Sequence, residues 1–168
     1  MLGGWLILER NASLKVEYME PFIQAACSVL KRISGGRADI GPLGLMGTTF
    51  PTACVNIAAR VSGNLQGDVV YSMSSQTAEK LAELLTGTEA HGFSRLTGSG
   101  LVQLGSMIAQ ETGCLLGRNG IDCEISRPTV FRGLNIEFSA VAPALGISVD
   151  TEAGQVDINL AVRHYEQS

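Results

Sequence analysis

The 168-residue chain lacks a basic excess: 12 Lys and Arg stand against 16 Asp and Glu, a net charge of −4. The pI is near 5.1. Nucleic-acid binders normally carry a basic stripe, and none is present, so that class is set aside. Nothing approaches about 18 consecutive apolar residues, and no segment reads as a membrane-spanning helix. There are two histidines, His91 and His164, and four cysteines, Cys27, Cys54, Cys114 and Cys123, with no C-x-x-C pair. They complete no zinc-ligand spacing, and the cysteines read as small buried hydrophobes. The histidines sit in no nucleophile motif. The 20 glycines are scattered without a triplet period, which excludes collagen. Gly44-Leu45-Met46-Gly47 and Gly98-Ser99-Gly100 are glycine-rich but match neither a P-loop nor a dinucleotide fingerprint. The apolar stretch Leu2–Leu8 is short, with no basic leader and no clear cleavage site. Residues 1–13 therefore read as an N-terminal extension, 14–168 as the domain, and the cytoplasm as the location.

What is present is a core-forming composition. Apolar residues make up 45% and charged residues 17%, with a mean hydropathy of +0.21. A chain of this size buries roughly 70% of its unfolded surface and needs no staple. Phe22, Ile23, Ala26, Val29, Leu30 and Ile33 repeat at helical spacing, with Pro21 suited to a first turn and Gly35-Gly36 as the stop. Residues 38–66 read as strands bent at their glycines, with a turn signal at Ser62-Gly63-Asn64, and Gln66 to Met73 reads as the next strand of a hairpin. Ser75 is expected to cap a helix carrying Ala78, Leu81, Ala82 and Leu85. Residues 86–98 read as a polar connection. A second long helix is expected from Ser99 to Leu116, closed by Gly117-Arg118-Asn119-Gly120. The remainder reads as β: 121–125, 129–133, 134–141, 145–150 and 156–164, with a hairpin loop at 151–154. In the last strand Val156, Ile158, Leu160 and Val162 alternate with Asp157, Asn159 and Arg163. Asp122 and Glu124 alternate on a strand and read as a solvated edge rather than an acid/base pair. The expectation is one α+β domain with a large antiparallel sheet and about three helices.

The helix at 99–116 is the most informative. Leu101, Leu104, Ile108, Thr112 and Leu115 form an inward face. Gln103, Ser106 and Gln110 form a polar stripe nearly opposite. Glycine in a helix interior costs about 1 kcal/mol against alanine, so Gly105 and Gly113 suggest close approach of another backbone. A solvated outer face with glycines at a packing contact would look the same.

The segment Gly100-Leu101-Val102-Gln103-Leu104-Gly105-Ser106-Met107-Ile108-Ala109 resembles the signature helix of the CheC/CheX/FliY chemotaxis phosphatases. Glu20-Pro21-Phe22-Ile23 resembles the opening helix of CheX, and Gly63 to Met73 its G-x-x-x-G-x-hydrophobic strand. Ser75 to Leu85 resembles the helix that follows, and Ile125-Ser126-Arg127-Pro128-Thr129-Val130 the I-x-x-P-x-V strand. The order and spacing of these segments are shared over about residues 17–164. The resemblance implies a CheX-like fold and docking on a phosphorylated CheY-type receiver domain. The phospho-aspartate and Mg²⁺ would belong to that receiver, leaving the chain with no cofactor of its own. It also implies a homodimer formed by continuing the sheet.

In that family an Asn of the signature helix orients the attacking water and a Glu contacts a receiver lysine. Here the resemblance places Ser106 at the Asn position, Gln103 at the Glu position and Gln110 where the family has Gly. Gln103 is neutral and loses the charge-assisted contact, but it carries an amide. Ser106 keeps only a hydroxyl. Glu111 projects about 100° off the stripe and is a poor substitute. Ser99, Gln103, Ser106 and Gln110 are the expected partner-binding residues, with Gln103 and Ser106 the candidates for catalysis. Three readings follow: a phosphatase with altered residues, a non-catalytic adaptor, and a structural or oligomeric module.

Overall fold

The structure, a computed structural model, describes residues 16–89 and 91–164. The extension expected at residues 1–13 lies outside the described residues. The chain runs α1 (Val16–Ser34), β1 (Ala38–Leu45), β2 (Thr49–Pro51), β3 (Val55–Gly63), β4 (Leu65–Met73), α2 (Ser75–Thr86) and α3 (Arg95–Arg118). It then continues through β5 (Cys123–Ile125), β6 (Thr129–Arg132), β7 (Glu137–Ser139), β8 (Leu145–Thr151) and β9 (Gly154–His164). A 7-stranded antiparallel sheet has the order β1-β8-β9-β4-β3-β5, and β6 also pairs with β3. β2 and β7 form a separate 2-stranded sheet. This is the α+β domain that the sequence pattern implies.

The three helices cover one face of the large sheet. α1 turns Met19, Phe22, Ala26, Val29 and Leu30 inward, and α2 contributes Ala78 and Leu81. They meet Val55, Ile57 and Val61 of β3, Leu145 and Val149 of β8, and Ile158 and Leu160 of β9 in one apolar cluster. Apolar area removed from water at roughly 25 cal/mol per Å² drives this assembly. The β3–β4 hairpin runs in register from Val55↔Met73 to Val61↔Gly67. Gly67 has φ +151°, and a Cβ there would lie 1.9 Å from the Ala161 carbonyl oxygen, so β9 can pair closely only against glycine. β1 slips register against β8 between Ile40 and Leu43, a bulge where Gly41 and Pro42 sit.

Several local expectations change. Ser74, not Ser75, caps α2; its hydroxyl accepts from the Thr77 N–H, and Ser75 is the first helical residue. Pro21 sits inside α1, beyond its first turn. α3 begins at Arg95, four residues earlier than the glycines at 98 and 100 suggested. Ser94 caps it reciprocally: the Thr97 N–H donates to the Ser94 hydroxyl, and the Ser94 N–H to the Thr97 hydroxyl. The polar connection shrinks accordingly.

The far face of the sheet is also partly covered. Phe50 and Phe138 of the small sheet pack over Val70, Ala144 and Ala161. Asn159 and Ala161 of β9 are therefore buried although they alternate away from the helices. The cysteines are all free: Cys27, Cys54 and Cys123 are half-buried, while Cys114 is exposed rather than a core residue. Burial pushes the Cys27 and Cys123 thiols up.

Candidate functional site

α3 presents two unlike faces. Thr97, Leu101, Leu104, Ile108, Thr112 and Leu116 are buried, and the Thr112 hydroxyl donates to the Ile108 carbonyl at 2.7 Å. Leu115, expected on this face, is only partly buried, and Leu116 takes the core position. On the other side Ser99, Gln103, Ser106 and Gln110 are all exposed. At about 100° per residue they fall within an arc of about 60°, over about 16 Å of helix. None of the four side chains hydrogen-bonds to another described residue. The stripe is therefore open, uncharged and unpartnered.

Two glycines hold the helix in place. A Cβ at Gly100 would lie 3.0 Å from the Ala82 Cβ and 3.1 Å from its Cα, so α2 and α3 cross closely there. A Cβ at Gly105 would lie 2.8 Å from both Ile57 Cγ2 and Pro128 Cγ. The close approach expected at Gly105 is thus to two side chains rather than to a backbone, and Gly113 has nothing within 4 Å. Gly105 therefore lets Pro128 and Ile57 sit close against the helix immediately before Ser106.

Glu111 points toward α1, where it accepts from the Ser28 hydroxyl at 3.1 Å and faces the Arg32 guanidinium at 3.7 Å. It bridges two helices and leaves the stripe without a carboxylate. Among the described residues no three His, Cys, Asp or Glu side chains come together in a way that could hold a metal ion. His91 is exposed, and His164 stacks on Tyr18 with ring centroids 5.4 Å apart. Asp122 and Glu124 are exposed at the sheet edge.

The CheY-P phosphatase CheX of Thermotoga maritima is 33% identical over 106 residues, which are 61% of this chain and 68% of that protein. The chain is a CheX-like member of the CheC/CheX/FliY family. Solved structures share the CheX-like fold. A CheX from Desulfovibrio desulfuricans superposes with a TM-score of 0.77 at 18% identity, over 89% of this chain and 100% of that one. The Borrelia burgdorferi CheX–CheY–BeF3–Mg²⁺ complex gives 0.71 at 23% identity, over 88% and 98%. No family model matches the chain.

The CheX-like α3 brings together all four residues singled out in the sequence and adds one that was missed. Arg127, in the connection from β5 to β6, lines a groove with Ser106 and Gln110. Its position depends on how that connection returns over the helix, and no sequence spacing encodes it. No described helix is long and apolar enough to cross a membrane.

Proposed function

We propose that this chain docks through α3 on the receiver domain of a CheY-type response regulator and hydrolyses its phospho-aspartate. The observation that carries the reading is the open stripe of Ser99, Gln103, Ser106 and Gln110, four exposed side chains without partners on a helix held rigidly from behind. Support comes from the relative named a CheY-P phosphatase and from the CheX–CheY complex of similar fold. Phosphoryl transfer is mostly positioning plus electrostatics, so a fixed amide can contribute strongly. Gln103 supplies that amide, one turn from the Ser106 hydroxyl, and together they hold the attacking water. The Mg²⁺ and the phosphoryl group belong to the receiver, and the chain needs no cofactor of its own. The cytoplasm is the compartment that this partner implies.

The test is the decay of a Mg²⁺-phosphorylated receiver from the same organism. Faster decay with the wild-type chain, lost in Gln103→Ala and reduced in Ser106→Ala, is the expected result. Unchanged decay with tighter binding to the phosphorylated form identifies an adaptor instead. A homodimer belongs to the same reading. β1 ends the large sheet and exposes Ile40 and Leu45, each 54% accessible, and its outer edge pairs with no described strand.

A further inference from the structure

We propose that Arg127 is the oxyanion contact of the docking face, its guanidinium pairing with the phosphoryl group that the receiver presents. This rests on the docking reading above and names the group that would read phosphorylation. Between α3 and the β5–β6 connection runs a groove of about 410 Å³. Ser106, Gln110 and Gly113 form its helix side, and Ser126, Arg127 and Pro128 its far side. The space at Gly113 is open, since a Cβ there would meet nothing within 4 Å. Among the described residues no carboxylate lines the groove. Arg127 is exposed, and its side chain has no hydrogen bond or ion pair among the described residues.

The backbone around Arg127 is fixed on both sides. The Ser126 N–H donates to the Arg60 carbonyl at 2.8 Å, and the Arg60 N–H to the Ser126 hydroxyl at 2.9 Å. Pro128 packs against Gly105 of α3, and Thr129 pairs with Ala58. A residue preceding proline is restricted to extended backbone, which removes further freedom. The guanidinium thus swings from an anchored root beside Ser106. Its planar fork matches two phosphoryl oxygens, and the Ser106 hydroxyl and Gln110 amide across the groove can donate to others.

The opposite groove, toward α1, is less suited to an oxyanion. Arg32 and Arg118 line it, but so does the Glu111 carboxylate, which faces Arg32 at 3.7 Å. Of the arginines in these two grooves, Arg127 is the one beside no described carboxylate.

The experiment measures binding of the receiver domain, bare and loaded with Mg²⁺ and beryllofluoride, to wild type, Arg127→Gln, Arg127→Lys and Gln103→Ala. The wild type is expected to prefer the loaded receiver. Arg127→Gln should bind the bare receiver as the wild type does and lose about tenfold or more of the preference, the weight of one charged hydrogen-bonded contact. Arg127→Lys should keep part of it. Full preference retained in Arg127→Gln overturns the assignment while leaving docking intact. Failure of the wild type to bind either form overturns docking and the assignment with it. A Gln103→Ala loss on both forms, beside an Arg127→Gln loss on the loaded form alone, separates the stripe from the oxyanion contact.

Discussion

Leu104 and Gln103 are neighbours on α3, yet one is 1% exposed within the core and the other lies on the open stripe. The same backbone serves two purposes. Its inner face is fixed by the sheet and the other helices, while the stripe on its outer face hydrogen-bonds to no other described residue. The four stripe residues are uncharged, and groove-lining arginines stand on both flanks. The contrast separates what the helix needs to fold from what it offers to a partner.

Truncating each neighbour in turn should affect the two faces most unequally. Leu104→Ala removes a buried side chain and leaves a cavity, costing about 3 kcal/mol in urea unfolding. Gln103→Ala should change stability by less than about 0.5 kcal/mol, while altering receiver binding. If Gln103→Ala destabilises as Leu104→Ala does, the stripe is structural and the docking reading fails.

A sharper version uses two glycines of the same helix. Gly105→Ala gains about 1 kcal/mol of helix propensity. Its new Cβ, however, meets Ile57 and Pro128 at 2.8 Å, and Pro128 is tied to β6 through Thr129, which pairs with Ala58. Overpacking of this kind costs about 1–3 kcal/mol, so the net effect should be a loss of about 1 kcal/mol, with displacement of the Arg127 groove. Gly113→Ala meets nothing within 4 Å and should stabilise by about 0.5–1 kcal/mol. Equal signs for the two would show that the Pro128 contact does not set the helix position.

The inner face was legible because helical periodicity shows directly which residues point one way. The start of α3 was not, because Gly98 and Gly100 look like loop residues. The Ser94 and Thr97 pair, three residues apart, was the signal that outweighed them. The stripe was visible as a pattern, and the resemblance to the family suggested its use. The groove at Arg127 was invisible, because it forms only when β5 and β6 fold back against β3 and bring Pro128 onto Gly105. The burial of Asn159 was hidden for the same reason: alternation assigned its face, but the small β2–β7 sheet that helps cover that face comes from distant segments.

On the far face of the sheet, burial and charge compete at Asp68. Its side chain is 11% exposed and lies 3.7 Å from Arg60, which is 75% exposed. Desolvation raises the Asp68 carboxyl above its ordinary range, and Arg60 only partly offsets this through a solvent-screened contact. A carboxyl raised in the folded state binds its proton more tightly there than in the unfolded chain. Its ionisation therefore costs stability as pH rises through the unfolded value of about 3.9, and the loss levels off above the folded value. Asp68→Asn removes that cost. The variant should gain stability relative to wild type as pH rises from 3 to 7 in urea unfolding, with little difference at the acid end. A variant less stable than wild type at neutral pH would mean that the Arg60 pair outweighs burial, making this face of β4 an ion-pair site rather than an extension of the core.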